Sequence, residues 1–195
     1  MSDKLQRVLQ QIDAINKEDP NQEQVDGNSV AKELIYGQRM SLCLAEHWPE
    51  ASEHLQIAIR AQHVKRWAIA RSTYPEGKAG YLTWRKELGK LHAKTAQDIM
   101  LENGYDQDDA AQTASIIRKE RLKSNPESQT LEDVACLVFL RYYFAPFAAK
   151  HDDEKVISIV QKTWRKMSNK GHEIALSLSL PEHLAEIVER ALSSK

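Results

Sequence analysis

Apolar residues recur at helical spacing along almost the whole chain. Leu5, Val8, Leu9, Ile12 and Ile15 mark one face of a helix predicted over 3–17. Asp19-Pro20-Asn21 and Gly27-Asn28-Ser29 break the pattern, and Ser29 is placed to cap a second helix over 30–47. That helix carries Val30, Leu34, Leu42, Cys43 and Leu44 and stops before Pro49. Ser52 opens a third helix, over 52–70, on the apolar positions Leu55, Ile57, Ile59, Val64 and Ile69. A loop at 71–78 leads to a fourth, over 79–102, with a C-cap signal at Asn103-Gly104. Asp106 begins a fifth, to 122, followed by a loop at Lys123-Ser-Asn-Pro126. Thr130-Leu-Glu-Asp133 then starts the most apolar segment. Residues 134–147 are apolar nearly all round, the mark of a central buried helix, which Pro146 kinks or ends. Helices over 152–167 and 181–193 follow, punctuated by a turn at Ser168–Gly171 and by Pro181.

Seven glycines and six prolines among 195 residues leave little room for hairpins. The fold class predicted is all-α: a single-domain helical bundle over 1–195, with about seven to nine helices. A chain of this length buries about 70% of its unfolded surface. No apolar run approaches the roughly 18 residues that a membrane span requires. The N-terminus, Met1-Ser-Asp-Lys, has no signal-peptide core, and Cys43 and Cys136 each sit among apolar neighbours without metal-ligand spacing. These features predict a cytoplasmic protein without membrane partners. The formal net charge is −1, so no global field recruits nucleic acid, and any basic site is local.

One stretch concentrates chemistry. Between residues 60 and 92 stand His63 and His92, Arg60, Arg66, Arg71 and Arg85, and Trp67 and Trp84. Arginine supplies a planar fork for anions, and tryptophan an apolar body with a polar edge. On a helix over 52–70, Arg60, His63, Arg66 and Trp67 share one broad face. The competing structural reading is a basic surface face anchored by Trp67. On the next helix Tyr81, Trp84, Arg85, Leu88 and His92 form a second stripe, which a short connection would lay against the first. For this stripe the bland alternative is core aromatics, a salt bridge and a satisfied core histidine. An unpaired guanidinium buried there would be costly, so Arg85 requires either an acidic partner such as Glu132 or a ligand anion.

The expected site is therefore one concavity lined by His63, Arg66, Arg85 and His92, with Glu132 or Asp133 at its rim. Glu132-Asp133 also suits the first turn of a helix through the macrodipole. Lys162-Thr-Trp-Arg-Lys-Met-Ser168 adds a late basic and aromatic cluster, which the cationic C-terminus of a helix equally explains. There is no phosphate-cradling glycine loop, dinucleotide fingerprint, HExxH motif, nucleophile elbow or paired Glu-x-x-His pattern.

Several runs carry a resemblance: Asp19-Pro-Asn, Lys32 to Met40, Arg60 to Trp67, Gly80 to Arg85, Gln129 to Asp133 and Lys162 to Ser168. Together they resemble, over nearly the whole chain, an uncharacterised domain-of-unknown-function family of bacteria and some eukaryotes. Its members are at times labelled glutamyl-tRNA synthetase. The chain carries no HIGH-type or KMSKS-type motif beyond the fragment Lys166-Met-Ser168, and has no room for a Rossmann catalytic domain. A more distant resemblance is to the all-α HD-domain metal-dependent phosphohydrolases, because His63-Val-Lys-Arg66-Trp-Ala-Ile-Ala70 is similar to their first histidine helix. That likeness implies a divalent metal held by His63, His92 and Glu132, with His63, His92 and Asp133 as catalytic groups. The superfamily's paired His-Asp is absent, since Ala93 follows His92.

The expected function is an HD-like domain that binds a phosphorylated small molecule or a nucleotide and hydrolyses a phosphoester. Arg60, Arg66 and Arg85 would clamp phosphate, with Trp67, Arg71 and Trp84 completing the binding surface. Two alternatives stay open. One is a non-catalytic module for RNA or a regulatory nucleotide, and the other is a structural or interaction protein whose polar stripes only pair helices.

Overall fold

The computed structural model describes residues 2–122 and 124–193. They form two compact units, Met1–Leu131 and Glu132–Lys195. Among the described residues there are ten α-helices and one two-stranded hairpin.

In the first unit α1 (Asp3–Asn16) is capped by the Ser2 hydroxyl and buries Leu5, Val8 and Ile12. It is followed by β1 (Gln22–Val25) and β2 (Asn28–Ala31), antiparallel with Gln22 opposite Ala31 and Val25 opposite Asn28. The hairpin corrects the expectation of a sheet-free chain. Asp26 and Gly27 have φ of 48° and 81°, the left-handed pair that a two-residue turn needs to match the twist of its strands. Ser29 therefore lies in a strand and caps nothing. Helix α2 (Lys32–His47) has no capping side chain from its own first turn. The buried carboxylate of Asp19 does that work from a distance. It accepts from the Glu33 amide at 3.0 Å and, on its other oxygen, from the Asn21 backbone and side chain at 2.9 and 2.8 Å.

Helix α3 (Glu53–Arg60) starts at the Ser52 cap, with Ile57, Ala58 and Ile59 fully buried. Each large aliphatic side chain so buried contributes about 1.5–3 kcal/mol. The helix predicted over 52–70 ends here. Residues beyond it make turns, and Arg66–Ala68 and Arg71–Thr73 are short 3-10 segments. No glycine or proline lies between Ser52 and Ala70, so the break is imposed by tertiary contacts. Lys65 takes a left-handed φ of 59°, and its amide donates to the buried Asn16 side chain at 3.2 Å. Two long helices complete the unit: α4 (Gly77–Glu102), and α5 (Gln107–Ile117), capped by Asp106 and shorter than its predicted end at 122. The predicted loop at Lys123–Pro126 includes Lys123, which lies outside the described residues.

The boundary between the units falls within α6 (Pro126–Val138). A π-helical turn, Phe139–Tyr143, then leads into α7 (Phe144–Ala148), which contains Pro146. Proline has no N–H for the regular i−4 bond and its ring crowds that carbonyl, so the widened turn ahead of it is the expected accommodation. In the second unit α8 (Asp153–Trp164) packs on α10 (Glu182–Ser193), and the Gln161 amide donates to the Ala191 carbonyl at 3.1 Å. Ser168, predicted as part of a turn, caps a further helix, α9 (Asn169–Ser177). Both cysteines are buried. Among the described residues no helix is long and apolar enough to cross a membrane.

Candidate functional site

A cavity of about 540 Å³ opens in the first unit, between the turns after α3, the middle of α4 and the end of α5. Six of its thirteen lining residues are cationic, Arg66, Arg85, Lys86, Lys90, Arg118 and Lys119, and only Glu120 is acidic. His63, His92, Gln62, Leu88 and Ile117 make up most of the remaining wall. Gly89 contributes bare backbone, since a Cβ added there would meet nothing within 4 Å. Lys90 pairs with Glu87 at 2.8 Å and Arg118 with Glu120 at 2.6 Å. Arg85 and Lys86 meet no carboxylate among the described residues. Lys119 holds a φ of 55° at the C′ position of α5. The amides of Lys119 and Glu120 close that helix end on the carbonyls of Ile116 and Ser115. Glycine ordinarily takes this position. A lysine there costs about 1–2 kcal/mol of left-handed strain and brings a cation to the cavity wall.

Behind the basic lining is a buried polar knot. His63 Nδ1 lies 3.1 Å from Glu33 Oε2, and Arg66 approaches His63 Nε2 at 3.2 Å and Glu33 Oε1 at 3.6 Å. A guanidinium only donates, so His63 Nε2 is an acceptor and the ring proton sits on Nδ1, donated to Glu33. Tyr36 stacks on His63 with centroids 4.1 Å apart. Arg66 lies 4.7 Å over the Trp84 ring, a cation–π contact that holds the guanidinium in place. His92 is 6.0 Å from His63, centroid to centroid, and its Nδ1 lies 2.7 Å from the Val64 carbonyl. A carbonyl only accepts, so this histidine also carries its proton on Nδ1 and keeps a lone pair on Nε2.

Burial sets the charge states. It pushes the Glu33 carboxyl up to about 7, with Arg66 opposing and Asp19 adding to the rise. It holds His63 well below its ordinary range, reinforced by Arg66, Arg85 and Lys119. It lowers His92 to about 3, with His63 as the next cause. The signs predict how stability follows pH. Each histidine, with a folded value below the unfolded 6.5, contributes stability that is complete above 6.5 and is lost as pH falls. Glu33 works in the opposite sense: its folded value is above the unfolded 4.5, so its contribution is present in acid and lost as pH rises through about 7. Two histidines thus oppose one carboxyl: as pH falls below 6.5 the unfolded chain takes up more protons than the folded chain, and unfolding free energy should fall with it. Urea denaturation across this range measures it, and a stability that rises on acidification from 6.5 to 4.5 would refute the assignment.

The structure brings His63, Arg66, Arg85 and His92 to one cavity, but by a different route from the shared helix face expected. Because α3 stops at Arg60, only Arg60 of the first stripe is α-helical. Its guanidinium grips Asp13 at 2.7 and 3.0 Å and reaches the Gly37 carbonyl, outside the cavity. Trp67 is half-buried in a 3-10 segment and does not line the cavity. Arg71 ties down the Tyr74 and Pro75 carbonyls at 2.9 and 3.0 Å. Trp84 is buried, and its indole N–H donates to the Ile69 carbonyl at 2.9 Å. Arg85 is exposed and donates to the Tyr81 hydroxyl at 3.1 Å, so the burial cost expected of it does not arise.

Glu132 and Asp133 belong to the second unit and are not among the lining residues. Glu132 lies 3.6 Å from Lys166, and Asp133 accepts from the Ser168 amide at 2.8 Å and from its hydroxyl. Among the described residues no three His, Cys, Asp or Glu side chains gather as a metal-binding group. The residues present do not fit the metal that the HD-domain resemblance implies. Sequence reasoning missed Glu33 and Gln62. Glu33 belongs to no chemical motif, and its one signal is its place in the run Lys32 to Met40 shared with the resembled family.

Over residues 6–188 the chain matches the model of a domain of unknown function (DUF4202). No curated protein and no solved structure matches it.

Proposed function

For a chain that belongs to the DUF4202 family, whose description assigns no chemistry, we propose that the basic cavity binds a phosphorylated small molecule or nucleotide. The single observation that carries this reading is the charge of the lining: six cations and one acid around about 540 Å³, in a chain of net charge −1. A concave cationic wall focuses field and favours a multiply charged anion. Arg85 and Lys86 approach the phosphate from the solvent side. Arg66, held by Glu33 and Trp84, offers a preorganised donor at the back. The neutral rings of His63 and His92 add polar atoms without adding charge.

Arg85→Ala tests the reading with little risk to the fold, because Arg85 is exposed and its hydrogen bond and its cation–π contact are both with Tyr81. The expected loss of affinity for a phosphorylated ligand is about 1.5 kcal/mol, roughly tenfold, the low end for a charged hydrogen bond because the rim is solvated. The melting temperature should stay unchanged. Titration calorimetry with a panel of nucleotides and sugar phosphates measures the loss. Equal affinities for wild type and variant would reject Arg85 as a phosphate contact. Preference for RNA over every mononucleotide, with a steep dependence on salt, would favour a nucleic-acid module instead.

A further inference from the structure

The cations of the cavity come from three separate elements. Arg66 stands in the turns after α3, Arg85, Lys86 and Lys90 lie on α4, and Arg118 and Lys119 follow the last turn of α5. Helix α5 packs against α4, so the two larger groups reach the cavity from two walls. A round cavity of 540 Å³ is about 10 Å across, whereas a charge-assisted hydrogen bond spans about 2.7–2.9 Å. Three of the six cations face a carboxylate: Lys90 that of Glu87, Arg118 that of Glu120 and Arg66 that of Glu33. With those three acids counted, the lining keeps a formal charge of +3. One phosphoryl ester brings about −1.5 to −2 at neutral pH, so a single group leaves part of the lining without a counter-charge.

We propose that the ligand carries two phosphoryl groups set apart on one small molecule, one for the cations of α4 and one for those at the end of α5. The inference rests on the phosphate-binding reading above and narrows it to a substrate class. Like charges around a concavity repel, and a monophosphate at one wall relieves that repulsion on its own side only. A second phosphoryl group on the same skeleton relieves the other side, and its tether gives it a high effective concentration there. Leu88 on α4 and Ile117 on α5 add apolar surface for the linking carbon skeleton, and Gly89 leaves it room. Pyrophosphate has the charge without the separation, since its two phosphorus atoms share an oxygen.

Titration calorimetry of the full chain at physiological ionic strength tests this. The probes are fructose 1,6-bisphosphate with fructose 6-phosphate, adenosine 3′,5′-bisphosphate with adenosine monophosphate, pyrophosphate and inorganic phosphate. At least one bisphosphate should bind tenfold or more tightly than its own monophosphate and than pyrophosphate, and the pair that does so tells a sugar from a nucleoside skeleton. Lys119→Gly removes a cation from the α5 wall and relieves the left-handed strain there. It should cut that tenfold advantage to less than threefold, because a monophosphate can use the intact wall and a bisphosphate needs both. An advantage unchanged in this variant would overturn the two-wall assignment. So would monophosphates, or pyrophosphate, binding as tightly as both bisphosphates, and either result leaves the basic site standing. The wild-type ranking decides even if the variant fails to fold. Absence of binding by all six probes would overturn the phosphate reading itself.

Discussion

Asp19→Ala is expected to lower the stability of the first unit by about 3–5 kcal/mol. Three hydrogen bonds to a charged acceptor are lost, at about 1.5–3 kcal/mol each and less than additive. The carboxylate is 2% exposed, so water does not replace them. Its oxygens serve different ends of the structure: Asn21 at the start of the hairpin, and the Glu33 amide in the first turn of α2. Without the second, α2 begins with an uncapped amide on the residue whose carboxyl accepts the hydrogen bond from His63 Nδ1. Asp19→Asn retains the shape and should lose roughly half as much. Urea denaturation gives the magnitude, and hydrogen exchange at the Glu33 amide gives the location. A loss below about 1 kcal/mol, typical of an ordinary exposed cap, would refute the role assigned to Asp19.

The second large effect falls in the other unit. Asp133→Ala should also cost about 3–5 kcal/mol, since a 2% exposed carboxylate loses the Ser168 amide and hydroxyl together. That hydroxyl in turn accepts from the Gly171 amide at 3.1 Å and caps α9. The packing is close: a Cβ on Gly171 would come within 2.8 Å of Asp133 Oδ1. Faster proteolysis around residues 166–171 together with an early unfolding transition would confirm the effect. Wild-type resistance to protease would exclude it. Asp133 thereby has a structural task in the second unit.

Helices announced by a capping residue and a regular apolar stripe were legible in the sequence. Ser52 and Asp106 cap where their spacing predicts, and the first helix ends within one residue of its predicted limit. Failures came where a distant residue decides. Nothing between Ser52 and Ala70 says that the helix stops at Arg60, because Asn16 and Asp13, far back in the chain, hold the turn and the arginine. The hairpin did have a local signal in Asp26-Gly27, but strands of four residues are too short for alternation to register against helical spacing. At the site, the density of His and Arg between 60 and 92 was informative and their supposed helix face was not. Lys119 reaches the cavity through a left-handed backbone, a property not visible in residue type.

The glycine in the cavity wall has a consequence for how such a chain can diverge. Gly89 lies inside a 26-residue helix, where alanine would be favoured over glycine by roughly 0.5–1 kcal/mol. Nothing crowds the position, so stability gives no reason to keep it bare. What the missing side chain preserves is room. On the proposed phosphate-binding reading, breadth of ligand and strength of fold are thus opposed at this one residue, and a single methyl gained there would exchange accommodation for helix.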